Sequence, residues 1–283
     1  MQKHSEHRRS LGKTVAFVPT MGFLHEGHLS LIREGRQLGD DLIVSIFVNP
    51  TQFAPEEDFE AYPRDLDRDL KLAKKEGANV IFTPDEKELY SEGFQTCVHL
   101  EKLPNHLCGI SRPIFLKGVA TVVTKLFNIV KPHVAIFGQK DYQQLIVIRR
   151  MVQDLNFDIE IVGFPPVREP DGLAMSSRNS YLTPEQRINA LCLYKSLIKA
   201  KTLVENGVND AVKIIGEVSE LIRSHQETAI DYIAICDPET LVDMPIIDRP
   251  ALMALAVVVG KTRLIDNILL NRDSQRLPRR GLG

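Results

Sequence analysis

Across the first two-thirds of the chain, apolar residues gather in short unbroken runs at 15–19, 42–48, 80–83, 134–137 and 159–162. None of these runs alternates cleanly with polar residues, which is the pattern of strands buried on both faces. Between them, apolar positions recur at helical spacing over about 27–38, 64–76, 118–131 and 141–155. In the third stretch Val119, Val122, Val123, Leu126, Phe127 and Val130 carry the 3.6-residue period. Strand–helix alternation predicts the α/β class, with a parallel sheet and right-handed crossovers. It also directs the search for chemistry to the loops that leave the carboxyl ends of the strands.

The texture changes after Pro165. Residues 167–179 are polar and turn-rich, and Thr183-Pro184-Glu185-Gln186 then opens a helix with Thr as N-cap, Pro at N1 and Gln at N3. Helical pattern runs to about 204 and again over 208–225, and strands are expected at 232–236 and 252–259. The pattern places a domain boundary near 170. The tail, with Arg272, Arg276, Arg279 and Arg280, reads as a solvated terminus.

Composition narrows the class. A chain of 283 residues, 43% hydrophobic and 25% charged, fits one large or two modest globular domains. A net charge of −2 gives no whole-chain nucleic-acid footprint. The longest apolar run, Ala251–Val259, is 9 residues, against roughly 20 for a membrane span, so no membrane partner is expected. Residues 1–9 offer no apolar core for a secretory signal. Cys97, Cys108, Cys192 and Cys236 form no C-x-x-C pair. That disfavours zinc ribbons and disulfide frameworks, and a reduced, cytoplasmic protein is the default.

Some motifs can be set aside. Gly260-Lys261-Thr262 mimics the end of a P-loop, but the first glycine it requires falls on Leu255; Gly12-Lys13-Thr14 fails in the same way at His7. No G-x-G-x-x-G occurs. His25-Glu26-Gly27-His28 resembles the start of H-E-x-x-H, yet the second His would be at Leu29, and no third metal ligand is evident.

The segment that carries chemistry follows the first strand: Pro19-Thr20-Met21-Gly22-Phe23-Leu24-His25-Glu26-Gly27-His28. Gly22 permits a tight turn close to a ligand. His25 and His28, three apart, share one face of the next helix's first turn. Unpaired backbone N–H groups and the helix dipole there favour anions. Two imidazoles at such a terminus make a site for phosphate oxygens, and preorganised donors stabilise charge developing at phosphorus.

H-x-G-H in this context resembles the signature of the nucleotidyltransferase superfamily. Four more segments narrow the resemblance. They are Phe47-Val48-Asn49-Pro50-Thr51-Gln52-Phe53, Tyr62-Pro63-Arg64, Phe137-Gly138-Gln139-Lys140-Asp141-Tyr142-Gln143-Gln144-Leu145, and Asp171-Gly172-Leu173-Ala174-Met175-Ser176-Ser177-Arg178-Asn179. With P-T-M-G-x-L-H-x-G-H they resemble the pantothenate synthetase (pantoate–β-alanine ligase) family, from about Gly12 to Gly260–Asn267, where Arg263-Leu264-Ile265-Asp266-Asn267 also fits.

The resemblance implies a Rossmann-like doubly wound parallel sheet with a smaller C-terminal α+β domain. Residues 1–170 would bind ATP and pantoate, and residues 171–283 would close over the active site. The implied reaction activates pantoate with ATP to a pantoyl adenylate and pyrophosphate; the amine of β-alanine then displaces AMP. His25, His28 and Lys140 would be catalytic, the histidines on triphosphate oxygens and Lys140 as a mobile point charge at the transferring phosphate. ATP would also meet Met21, Gly138, Asp141, Val167 and Met175. Asp141 would bind ribose or orient Lys140 while standing as a helix N-cap. Ser176, Ser177 and Arg178 would form a second phosphate-binding segment. Gln52 and Gln144 would hold the hydroxyls and carboxylate of pantoate, Asn49 and Pro50 would shape that loop, and Gln143 is read as structural. ATP is the co-substrate and Mg²⁺ the expected ion, with its protein ligands unassigned and the substrate phosphates as its main ligands. A homodimer is implied by the family alone.

The chain departs from the family pattern in two places. Arg112-Pro113-Ile114-Phe115-Leu116 has Phe115 where the family usually has His. Only about ten residues precede Gly12-Lys13-Thr14, where family members usually carry a strand and some helix. Two rival readings are a nucleotidyltransferase acting on a phosphate acceptor and a silent nucleotide-binding module. The first has no use for F-V-N-P-x-Q-F or S-S-R-N, and the second has none for intact His25, His28, Lys140 and Arg178.

Overall fold

The structure is a computed structural model and describes residues 1–271. The tail arginines named above lie outside the described residues. Two units divide the chain: Met1–Arg168 with Met175–Ser177, and Glu169–Ala174 with the chain from Arg178 onward.

In the first unit the apolar runs become parallel strands: β1 (Val15–Thr20), β2 (Asp41–Ile46), β3 (Val80–Phe82), β4 (Val134–Gly138) and β5 (Glu160–Phe164). Their order in the sheet is β3-β2-β1-β4-β5. Val15, Ala16, Phe17 and Val18 of β1 are fully buried, as are Leu42, Ile43 and Val44 of β2. Burial on both faces explains the missing alternation. The helices are α1 (Gln2–Ser10), α2 (Glu26–Leu38), α3 (Leu66–Lys75), α4 (Glu86–Leu89), α5 (Cys108–Ser111), α6 (Phe115–Val130) and α7 (Tyr142–Asp154). The chain winds outward from β1 to β3, then returns to place β4 on the other side of β1. The crevice between the carboxyl ends of β1 and β4 is therefore the topological switch point, where open α/β sheets bind ligands.

The helix α1 has no counterpart in the apolar pattern, because only Ser5 of its residues is buried. Polar contacts hold it instead. His4 Nε2 lies 2.7 Å from the Asp41 carboxylate at the start of β2, Arg8 lies 3.6 Å from it, and Arg9 donates to the Lys131 carbonyl.

In the second unit α8 (Pro184–Glu205) and α9 (Ala211–Arg223) cover an antiparallel sheet, β6 (Thr228–Cys236), β7 (Ala251–Val259) and β8 (Thr262–Leu270), in that order. The capping box read from the sequence is present: Gln186 N–H donates to Thr183 Oγ1, and Thr183 N–H donates to Gln186 Oε1, each at 3.2 Å. The long apolar run is the central strand β7, paired on both sides. Leu193, Leu197, Ile214, Val218, Met253 and Leu255 belong to one core. The sequence reading missed β8 and began β6 too late. Asp231 and Arg263 interrupt the apolar pattern there, yet Arg263 pairs with Asp231 at 2.7 Å within the sheet.

Candidate active site

The loop from β1 to α2 is built around two residues in the left-handed region, Gly22 (φ 83°) and Phe23 (φ 49°). A non-glycine residue there costs roughly 1–2 kcal/mol. The loop is held by a side chain the sequence reading passed over. Asp69, fully buried in α3, accepts Phe23 N–H at 2.6 Å on one oxygen and Leu24 N–H at 2.8 Å on the other. Hydrogen bonds to a charged acceptor contribute about 1.5–3 kcal/mol each, enough to offset the strain. Burial pushes the Asp69 carboxyl above its ordinary value, and the two N–H groups pull it back.

His25 stands at the N-cap of α2. Its Nδ1 accepts Gly27 N–H at 3.2 Å, while His28 Nδ1 accepts His25 N–H at 3.4 Å. The two imidazoles thus form a reciprocal capping box, with ring centroids 4.1 Å apart. Any Cβ on residue 27 would lie 2.9 Å from the His25 ring, so the glycine of H-x-G-H makes room for the fold-back.

This geometry revises the expectation of open backbone donors. The N–H groups of Gly22, Phe23, Leu24, His25 and Gly27 all go to side chains of this chain: Thr20, Asp69, Asp69, His28 and His25. The two imidazoles stand beside these occupied N–H groups at the start of α2. With Nδ1 accepting, the proton of each neutral ring sits on Nε2, an assignment made from the hydrogen bonds. Burial holds the His28 pKa well below 6.5, and the His25 ring and the Lys140 charge push the same way. At neutral pH His28 is therefore a neutral N–H donor in the field of a nearby ammonium.

Lys140 and Asp141 come from the turn after β4. Lys140 Nζ is 3.2 Å from Asp141 Oδ2. Asp141 occupies the N-cap position of α7 but makes no capping bond, so its carboxylate is turned to Lys140 instead. Gly138, just before, has an ordinary backbone (φ −75°), and a Cβ there would meet no atom within 4 Å.

The adjacent glutamines differ sharply. Gln143 is buried; its amide donates to the carbonyls of Leu103 and His106 and accepts Cys108 N–H, a structural role. Gln144, one residue on, is partly exposed, and its side chain makes no hydrogen bond among the described residues.

Gln52, nearly buried, ends the short turn Pro50–Gln52 after β2. Its Oε1 accepts from Asn49 Nδ2 at 3.0 Å, and its Nε2 points at Met21 Sδ, also 3.0 Å away. Asn49 is itself fixed by Gly118 O, Thr51 Oγ1 and Tyr90 OH. Gly118 lets α6 approach: a Cβ there would sit 2.3 Å from Thr51 O and 2.7 Å from Gln52 Cα. Phe115, in the place where a histidine was expected, lies under Arg112, whose guanidinium carbon is 3.9 Å from the ring centroid. Arg112 in turn forks onto Glu57 at 2.5 and 2.8 Å and reaches Gln52 O at 3.4 Å.

Within the first unit, Met175 and Ser177 also reach this loop. Ser177 Oγ donates to Phe23 O at 3.4 Å, Met175 N–H donates to Val167 O at 3.0 Å, and a Cβ on residue 27 would touch Met175. The first unit therefore brings Met21, His25, His28, Lys140, Met175 and Ser177 to one end of the sheet, and Gln52 to Met21. Arg178 belongs to the second unit. There a network absent from the sequence reading shapes its neighbourhood: Arg187 pairs with Glu169 and Asp171, and Asn179 donates to Glu169 and Ala174 O. Among the described residues no group of three or more His, Cys, Asp or Glu side chains is placed to hold a metal ion.

The arrangement sets a paired imidazole cap, a lysine ion-paired to Asp141 and a fixed amide at one end of the sheet, which suits stabilising charge on a phosphate while a second, polar substrate is held beside it.

Comparison with known proteins agrees. The family model described as pantoate-beta-alanine ligase matches residues 1–269. The chain is 61% identical over 270 residues to the pantothenate synthetase of Desulfatibacillum aliphaticivorans, covering 95% of this chain and 96% of that one. It superposes on the pantothenate synthetase of Thermus thermophilus with a TM-score of 0.89 and 44% identity, covering 93% and 96% of the two chains. For the pantoate-beta-alanine ligase of Francisella tularensis, complexed with beta-gamma ATP and beta-alanine, the TM-score is 0.78 and the identity 34%, over 94% of each chain.

Proposed function

The chain belongs to the pantoate-beta-alanine ligase family and is an ATP-dependent ligase, and from that premise we propose how its residues divide the work of making pantothenate. A carboxylate is a poor acyl donor. One carboxylate oxygen of pantoate attacks the α-phosphorus of ATP, the bond to the bridging oxygen breaks, and pyrophosphate leaves. The amine of β-alanine then attacks the acyl carbon of the adenylate; the C–O bond breaks, AMP leaves, and the amide loses a proton to solvent.

His25 and His28 donate Nε2–H to triphosphate oxygens, and Lys140, oriented by Asp141, follows the charge as it moves to the leaving group. The observation that carries this reading is the capping box, which fixes both rings by Nδ1 at the start of α2 in the field of Lys140. Met21, Gly138, Val167 and Met175 line the adenosine, and Ser176, Ser177 and Arg178 hold phosphate from the second segment. Gln52 and Gln144 bind pantoate. In this reading residues 1–170 bind ATP and pantoate, and a smaller domain begins at about residue 171.

Mg²⁺ held by the substrate phosphate oxygens would neutralise their charge. The same reading makes the protein a cytoplasmic homodimer. None of its four cysteines forms a disulfide, burial pushes the Cys192 and Cys236 thiols up to about 12, and no helix among the described residues is long and apolar enough to cross a membrane. The test is AMP formation from ATP in the presence of pantoate and β-alanine, singly and together. Only the full mixture should sustain turnover; AMP release without either substrate would reject the assignment.

A further inference from the structure

In sequence, Asp69 is one of three acids in Asp65-Leu66-Asp67-Arg68-Asp69 on an amphipathic helix, and such residues ordinarily face water. In the fold it has no exposed surface and spans 45 residues of sequence to reach the β1–α2 loop. The left-handed pair Gly22 and Phe23 aims two successive backbone N–H groups at one point, a concavity suited to an anion. The anion in it is the Asp69 carboxylate, one oxygen to each N–H. Arg68, next in the helix, places its guanidinium 5.4 Å from the Phe23 ring centroid, so α3 grips Phe23 by side chain and backbone together. The residue that follows this grip is His25, whose own N–H ties it to His28. No slack link separates Asp69 from the imidazole pair.

We propose that Asp69 is a positioning residue for the nucleotide site: by filling the concavity of the loop it sets the orientation of His25 and His28, without touching substrate itself. The inference rests on the reading of that pair as phosphate donors. It also explains why the loop's backbone N–H groups do not serve as phosphate ligands, since an internal carboxylate already occupies them.

The experiment pairs Asp69→Asn with His28→Ala. Asn keeps the shape but sets an NH₂ group against one of the two N–H donors. In folded Asp69→Asn, kcat/KM for AMP formation should fall by about 10², the scale of a 1 Å misplacement. KM for ATP should rise while KM for β-alanine stays put. Nitrogen-15 spectra of labelled histidines provide the readout that a merely structural role would not move. Wild type should show Nε2–H tautomers and a His28 that titrates well below the ordinary histidine range; in Asp69→Asn, His28 should titrate nearer that range. If His28→Ala retains wild-type turnover, the nucleotide reading itself fails. If His28→Ala is impaired while Asp69→Asn keeps wild-type kcat/KM, the inference about Asp69 fails alone. A loss of rate with unchanged histidine signals overturns it too. Should Asp69→Asn not fold, Asp69→Glu, which keeps the charge but displaces the oxygens, is read by the same two measurements and the same criteria.

Discussion

The side-chain nitrogen of Gln52 lies 3.0 Å from the sulfur of Met21. The two residues leave different strands, β2 and β1, and were assigned from sequence to different substrates. In the proposed assignment their contact would join the two subsites. A thioether is a weak acceptor, so the Gln52 amide retains donor capacity for a stronger oxygen. Gln52→Ala should lower kcat/KM for pantoate, and it should also be felt by ATP through Met21. A double-mutant cycle of Gln52→Ala with Met21→Ala, read as kcat/KM, should show a coupling of about 0.5 kcal/mol or more. Strictly additive effects would separate the two subsites.

Gly138 isolates ligand contact from folding. Its backbone suits any residue, and a Cβ there meets no protein atom within 4 Å. Gly138→Ala should therefore leave thermal stability unchanged. If the adenosine occupies that space, overpacking it by one methyl costs about 1–3 kcal/mol, or roughly 5- to 150-fold in KM for ATP. An unchanged KM would remove Gly138 from the nucleotide site.

The pH dependence of stability follows from His28. Burial keeps it neutral in the fold well below the value of 6.5 at which the unfolded chain takes up its proton. Between those two values the unfolded state binds more protons, so stability falls as pH falls through the window. His133, lowered mainly by burial, has the same sign. Denaturant midpoints should drop from pH 7.5 to 5.5, with each such group contributing up to about 1.4 kcal/mol per pH unit. The slope should be shallower in His28→Gln. Equal slopes would mean that His28 is not held neutral.

Particular residues show what the sequence disclosed. The central strands β1, β2 and β4 were legible because burial on both faces leaves apolar runs, and the H-x-G-H turn because strand, glycine and paired imidazoles are consecutive. The capping box of α8 was legible for the same reason: Thr183 and Gln186 are three apart. Asp69 was not, since its partners Phe23 and Leu24 lie in another element and its own helix has ordinary amphipathic spacing. Helix α1 escaped because it docks through His4 and Arg8 on Asp41 rather than through an apolar stripe. The departure at Phe115 became intelligible only in three dimensions, where the ring supports Arg112 over the Gln52 loop.

The central claim is that the imidazole pair serves attack on the α-phosphate before any amine is engaged. Rapid-quench measurement of pyrophosphate from ATP and pantoate, with β-alanine omitted, tests it most directly. The expected result is a burst of about one pyrophosphate per active site followed by a stall, with the burst slowed by about 10²–10³ in folded His28→Ala, the usual loss for one preorganised donor. Pyrophosphate that appears only once β-alanine is added, or a burst of wild-type speed in His28→Ala, would contradict it.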